Sequence, residues 1–252
     1  MTYHIFPSSA QNRHWVFAFY GFGQHAGVYD PLVKICSKKY GLIIFDLPYE
    51  TFTHSHSKMT FIDEINLLIK KYNIEKITGI SYSMGSRYNL ILAELIPAVI
   101  YKIILIAPDG VRINFWNRVA TSAAPGQFLF KYFMTHPKTY LKLLHFLFKI
   151  KLLPLPLYAF SKWHVRNIDS CAKVYNTWMN MKNMIPDLKI INKNVQHFSI
   201  SVIGIFGKGD FVINHKSMLR LKQTIPSSDI KSVEKGHNLL DDDLFHDIAT
   251  YL

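Results

Sequence analysis

Runs of branched aliphatic residues alternate with amphipathic stretches over the first 110 residues of this chain, and that alternation restricts the fold more than any other feature. His14-Trp15-Val16-Phe17-Ala18-Phe19-Tyr20 reads as a strand ending in Gly21-Phe22-Gly23. Gly41 to Asp46, Lys76 to Ile80 and Lys102 to Ala107 read as three more. Strands that are apolar at nearly every position belong to a sheet covered on both faces. Between them Val28 to Lys39 supplies a helix, and Thr60 to Tyr72 places apolar residues at 61, 62, 65, 68 and 69, a helical period. Leu90, Leu92, Ala93, Leu95 and Ile96 repeat that spacing after the third strand. Strand and helix in strict turn imply a mostly parallel sheet with helices on both faces, an α/β class.

The alternation stops at about residue 112 and resumes near residue 197. Phe198 to Phe206 then reads as a strand, Asn214 to Thr224 as a helix, Ile230 to Val233 as a short strand, and the chain ends in a helix from Asp241. The expected organisation is a core of residues 1–111 and 197–252 carrying a helical insertion of residues 112–196. Before the first strong strand there is room for one short edge strand, His4 to Phe6.

Charge divides the chain at the same borders. The formal net charge is +12. Residues 112–195 hold 13 Lys and Arg against only Asp169 and Asp187, a net of +11, and the other 168 residues are nearly neutral. With 49% hydrophobic and 18% charged residues, the chain is too apolar to be disordered. The most apolar stretch, Phe146 to Phe160, is broken by Lys149, Lys151, Pro154 and Pro156 and is too short to span a bilayer. The first twenty residues lack the apolar run of a signal peptide, so a cytoplasmic location is expected. Two cysteines, Cys36 and Cys171, are too few for a disulfide framework or a cysteine-based zinc site.

Chemistry concentrates at Gly79-Ile80-Ser81-Tyr82-Ser83-Met84-Gly85, where a strand gives way to a helix. Ser83 sits on that turn, beside helix N-terminal N–H groups that lack intrahelical acceptors and favour developing negative charge. A serine hydroxyl becomes a nucleophile only when a base takes its proton and a third group orients the base. Asp210 follows the strand ending at Phe206, and His237 follows the next short strand, so all three lie at the carboxyl edge of the sheet where ligands bind. Gly21-Phe22-Gly23 ends the first strand on that edge, where the N–H groups of Phe22 and Met84 would form an oxyanion hole.

Along nearly its whole length the chain resembles the α/β-hydrolase superfamily. In that resemblance Ser83 matches the nucleophile, Asp210 the acid, His237 the base, and Phe22 with Met84 the oxyanion donors. Residues 112–196 match the position of the superfamily's helical cap, and Asp46-Leu47-Pro48 resembles the loop after the next strand. Ser-Tyr-Ser-Met-Gly is especially similar to the small-molecule hydrolases. Ser81 replaces the elbow's first glycine, Tyr20 the usual histidine before the oxyanion glycine, and Tyr49-Glu50-Thr51 the usual Gly-His-Gly. The first two strands of the usual sheet are largely missing.

Other polar residues have simpler readings. Asp109 is a rival acid, yet Pro108-Asp109-Gly110 is a turn signal. His25 reads as a surface residue near the oxyanion loop. His54 and His56 have a spacing that would suit a metal, without an acidic or cysteine cluster to support it. Asp241 to Asp243 fit a helix N-terminus. The implied activity is a serine esterase acting through an acyl-enzyme on an apolar, lipid-like substrate, with no metal or organic cofactor. The same triad would also serve a thioesterase, an acyltransferase, a carbon–carbon hydrolase or a cofactor-pathway lyase, and a binding protein on a hydrolase scaffold is a reading of another class. Aromatic and lysine residues interleaved in the insertion suggest an apolar tunnel under a basic rim, contact with an anionic membrane, or a solvated basic face over ordinary cap packing. No nucleic-acid module is present, and oligomeric state is not specified.

Overall fold

The computed structural model describes residues 1–8, 12–36, 38–49, 56–113 and 115–252, with side chains for all of these except residues 115 and 116. The chain forms two compact units. Met1–Leu47, Ser57–Arg112 and Met184–Leu252 make a sheet unit, and Pro48–His56 with Ile113–Asn183 make a helical unit.

The sheet unit runs β1 (Thr2–Phe6), β2 (His14–Phe19), α1 (Asp30–Cys36), β3 (Gly41–Asp46), α2 (Lys58–Tyr72), β4 (Lys76–Tyr82), α3 (Ser86–Leu95) and β5 (Ile100–Ile106). The helical unit follows with α4 (Phe115–Ser122), α5 (Ala124–Thr135), α6 (Pro137–Lys149), α7 (Leu155–His164) and α8 (Ile168–Met181). The chain then returns to the sheet unit with α9 (Leu188–His197), β6 (Ser201–Gly207), α10 (His215–Thr224), β7 (Asp229–Val233) and α11 (Asp242–Tyr251).

Among the described residues seven strands form one sheet in the order β1-β3-β2-β4-β5-β6-β7. Only β1 is antiparallel, pairing with β3. The connection from β2 to β3 moves one way across the sheet and every later crossover moves the other way. Right-handed crossovers therefore put α1 on one face and α2, α3, α9 and α10 on the opposite one. Strands β2 to β5 are buried almost throughout, as their unbroken aliphatic runs require. Phe17, Phe19, Ile43, Phe45, Ile80 and Ile104 are among the residues with essentially no exposed surface. The edge strand β7 is short, with Asp229 and Lys231 paired at 3.3 Å, charged features that discourage edge-to-edge association.

Several boundaries differ from the sequence reading, among them Pro48–His56, expected in the core and grouped with the helical unit. Strand β1 begins at Thr2 rather than His4, because its whole length pairs with β3 from Asp46 to Leu42. Phe198 is not in a strand. It caps α9, its N–H donating to the Asn194 carbonyl, and Ser199 takes a left-handed φ of 53° before β6 starts at Ser201. Residues 184–196, expected in the insertion, belong to the sheet unit. There the Asp187 N–H donates to Glu94 Oε2 at 3.0 Å, and Asn194 Nδ2 donates to the carbonyls of Ala93 and Glu94 at 2.9 Å each. Ile191 and Val195 are buried on the same side of α9, so apolar packing and polar pairing both tie this helix to α3.

In the helical unit Phe130 packs on Tyr175 and Trp178 at 5.4 and 5.1 Å between ring centres. Met134, Leu144 and Val174 are also buried. Pro48 and Tyr49 are held to α8, their carbonyls accepting from Asn180 Nδ2 and Thr177 Oγ1 at 2.6 Å each. Cys36 and Cys171 are buried and unpaired. Burial pushes both thiols up, that of Cys36 to about 12. Among the described residues no helix is long and apolar enough to cross a membrane.

Candidate active site

Strand β4 ends at Tyr82, and the chain turns at once through a short 3-10 segment, Ser83–Gly85, into α3. Ser83 has φ of 49°, a left-handed conformation that costs a residue with a Cβ about 1 kcal/mol. The turn is this tight because Gly85 runs against strand β2. A Cβ on Gly85 would lie 2.3 Å from the Phe19 carbonyl oxygen and 2.5 Å from that of Tyr20. The next loop supports the strained residue: the Asp109 N–H donates to the Ser83 carbonyl at 3.0 Å.

The structure brings Ser83, His237 and Asp210 together from the ends of three strands. Ser83 Oγ lies 3.1 Å from His237 Nε2, and His237 Nδ1 lies 2.7 Å from Asp210 Oδ2. The Asp210 side chain is fully buried, and its second oxygen, Oδ1, accepts from the N–H groups of Val212 and Ile213 at 2.8 Å each. A carboxylate held by two backbone donors has one oxygen left for the imidazole. That bond puts the ring proton on Nδ1 and leaves the Nε2 lone pair facing the Ser83 hydroxyl.

The residues expected as oxyanion donors flank this point. The Gly21 to Gln24 turn closes with the Gln24 N–H on the Gly21 carbonyl at 3.2 Å, and Gln24 Oε1 accepts from the Gly21 N–H at 3.0 Å. Phe22 occupies the middle of that turn. A Cβ on Gly21 would lie 2.9 Å from the Tyr82 ring and 3.1 Å from Ser83 Cβ, so the turn abuts the elbow. Met84 follows Ser83 in the first turn leading to α3, where backbone N–H groups lack intrahelical acceptors.

Several supporting residues carry no signal in the sequence. Tyr82 Oη donates to the His237 carbonyl at 2.7 Å, anchoring the histidine loop to the elbow across 155 residues. Burial, then the Asp210 charge, push the Tyr82 phenol up and keep it a donor. Arg87, 2% exposed, sets its Nε and a terminal nitrogen on Asp109 Oδ2 at 2.8 Å each, while Asp109 Oδ1 accepts from the Gly110 N–H. Asp109 is thus committed to a buried ion pair and a turn.

The departures in the motif have physical explanations. Ser81 is fully buried and its hydroxyl donates to the Ile104 carbonyl at 3.3 Å while accepting from Asn89 Nδ2 at 3.0 Å. A polar bridge between strand and helix therefore fills the space that a glycine would leave. Tyr20 Oη donates to Asp46 Oδ1 at 3.2 Å and accepts from the Leu47 N–H at 3.3 Å, tying the loop end of β2 to that of β3. His25 caps a short 3-10 helix, Nδ1 accepting from the Gly27 N–H at 3.2 Å. Asp241 caps α11 by accepting from the Leu244 N–H at 3.0 Å. His54, Glu50 and Thr51 lie outside the described residues, and among the described ones no group of three His, Cys, Asp or Glu could hold a metal ion.

No protein-family model matches the chain, and no curated protein sequence does. Among solved structures it is similar to MenH from S. aureus, at 17% identity with a TM-score of 0.65 over 99% of this chain and 96% of that one. A carboxylesterase structure from the thaumarchaeon Nitrososphaera gargenis is similar at 17% identity and TM-score 0.65, covering 99% of this chain and 93% of that one. The enol-lactonase from Burkholderia xenovorans LB400 is similar at 15% identity and TM-score 0.63, with 99% and 95% covered. At such identities the likeness shows the fold, and that fold is the α/β-hydrolase fold with its mostly parallel sheet flanked by helices.

Proposed function

We propose that this chain is a serine hydrolase that cleaves an ester of an apolar, lipid-like acid or alcohol. The observation that carries the proposal is the continuous relay from Ser83 Oγ to His237 Nε2 at 3.1 Å and from His237 Nδ1 to Asp210 at 2.7 Å. In the proposed cycle Ser83 attacks the ester carbonyl as its proton passes to His237 Nε2. The N–H groups of Phe22 and Met84 donate to the oxyanion of the tetrahedral intermediate. Asp210 stabilises the imidazolium, which protonates the leaving alkoxide and leaves an acyl group on Ser83. Water then gives its proton to His237 and attacks the acyl carbon. The acid is released and the Ser83 hydroxyl restored, so every proton is returned.

The apolar preference rests on the composition of the helical unit, where aromatic and aliphatic residues exceed those it buries. Carboxylesterases and an enol-lactonase among the proteins of similar fold fit acyl transfer to water as the reaction class. A fluorophosphonate probe tests the nucleophile. It is expected to label the folded chain at Ser83, located by peptide mass, and to leave Ser83→Ala unlabelled. Folded protein that stays unlabelled overturns the proposal. A panel of esters and thioesters of increasing acyl length then reads the substrate class, with turnover expected to rise with chain length.

A further inference from the structure

Helices α6 and α7 are consecutive, joined by residues 150–154, and stack through Phe148 on Tyr158 at 4.6 Å between ring centres. Little of this hairpin is buried. Leu144 is the one buried residue of α6, and α7 has none. Instead Phe146, Ile150, Leu152, Leu155, Phe160 and Trp163 are exposed, Leu152 by 72% and Trp163 by 64%. Single exposed apolar residues are ordinary, but a run of large ones along one hairpin marks an interaction surface.

The charges on the same hairpin all have one sign. Residues 137–168 contain five lysines and one arginine and no Asp or Glu. Lys149 and Lys151 bracket Ile150 at the joint between the helices. The Arg166 guanidinium lies over the Trp163 ring at 4.3 Å, and Lys162 over that of Tyr158 at 5.8 Å. Long basic side chains with apolar stems can follow a leucine or tryptophan into a lipid interface while their heads stay with the phosphates. Beside the joint, Phe148, Leu153, Pro154 and Leu155 line an open depression of about 410 Å³ flanked by Lys149 and Lys151.

We infer that the α6–α7 hairpin docks this protein on an anionic lipid surface, with Leu152, Leu155 and Trp163 entering the headgroup region and the flanking lysines meeting the phosphates. Charge complementarity selects this occupant. Two copies of the chain meeting through this hairpin would set one basic segment, without Asp or Glu, against another. Nucleic acid would satisfy the lysines and leave the exposed leucines in water. A negatively charged bilayer satisfies both, and neither α6 nor α7, of 13 and 10 residues, is long enough to cross it, so the hairpin lies in the interface.

The inference does not depend on the catalytic reading, since binding is measured without turnover and Ser83→Ala is expected to bind as the parent does. The full chain is sedimented with vesicles of phosphatidylcholine and of a phosphatidylcholine–phosphatidylglycerol mixture, at low and high salt. Binding is expected to the anionic mixture only, weakening as salt rises. Replacing both Lys149 and Lys151 by Ala is expected to lower the partition coefficient about 30-fold, near the contribution of two lysines at an anionic surface. Leu152→Ser combined with Trp163→Ser is expected to abolish binding, with the circular dichroism and melting temperature of the parent retained because both side chains are exposed. Three results would overturn the inference: no binding at low salt, equal binding to neutral vesicles, or unchanged binding by these variants. So would sedimentation velocity showing a dimer that the Leu152→Ser and Trp163→Ser pair dissociates, which would assign the face to self-association.

Discussion

Strand β5 buries Ile103, Ile104, Leu105 and Ile106 completely, whereas helix α7, which carries Leu155, Leu157, Phe160 and Trp163, buries none of its residues. The contrast holds beyond these two elements. Along the central strands of the sheet unit the apolar residues are interior, and the polar ones at the strand ends are fixed by short hydrogen bonds. In the helical unit large apolar residues face outward and lysines crowd around them. Hydrophobicity therefore has different consequences in the two places. In the sheet it supplies stability, and on the helices it leaves a surface that favours a partner.

The largest effect expected is on turnover at the sheet edge. Ser83→Ala should lower hydrolysis at least about a thousandfold, leaving only the residual catalysis of binding and oxyanion contacts. Because Ser83 holds φ at 49°, Ser83→Gly should lose the same activity without losing stability, as glycine takes that conformation freely. Initial rates on a short ester, with melting curves of both variants, check the pair. Equal melting losses for alanine and glycine would mean that the turn is not strained.

The polar support of the elbow belongs to the sheet edge as well, and its loss should act on stability. Arg87→Leu should cost about 3–5 kcal/mol, since it leaves the Asp109 carboxylate in a largely buried site without its cation. Replacing both residues by leucine should recover part of that loss, because an apolar pair needs no desolvation. Urea midpoints of the single and double variants measure it. A double variant less stable than the single would show that Asp109 contributes mainly through its hydrogen bond to Gly110.

Much of the sheet unit was legible because a parallel strand covered on both faces must be apolar at nearly every position, and four of the strands announce themselves that way. The carboxyl-edge positions of Ser83, Asp210 and His237 followed from counting strands. The partners that hold them did not. Tyr82 reaches the His237 carbonyl, and Arg87 reaches Asp109, through contacts that only the folded chain creates. A buried arginine is indistinguishable in sequence from an exposed one. The end of the insertion is hidden in the sequence for a related reason: α9 is amphipathic like its predecessors, and only the folded chain shows its buried face and its pairing with Glu94 and Ala93, which assign it to the sheet unit.

Truncations measure the contrast between the units directly. Ile104→Ala should cost about 2–5 kcal/mol through lost burial and the cavity left behind. Leu152→Ala, equally apolar and 72% exposed, should stay within about 0.5 kcal/mol of the parent. Chemical denaturation of each variant provides the values. A large loss for Leu152→Ala would mean that this residue contributes to the fold of the helical unit rather than to a surface.

The smallest effect expected is a pH dependence at the start of α11. Asp241 pairs with Lys235 and caps the helix through the Leu244 N–H, and these two contacts hold its carboxyl below the usual carboxylate range. A group whose folded value is depressed binds its proton more readily in the unfolded chain. Its contribution is therefore complete above the unfolded value of about 4 and is lost as pH falls through the folded value. The side chain is 43% exposed, so solvent screening limits the effect to a few tenths of a kcal/mol. Asp241→Asn keeps a capping oxygen and loses the charge. Its melting temperature should fall slightly short of the parent's at pH 6 and converge with it as the solution is acidified below pH 4. A gap that persists in acid would assign the difference to cap geometry instead of charge.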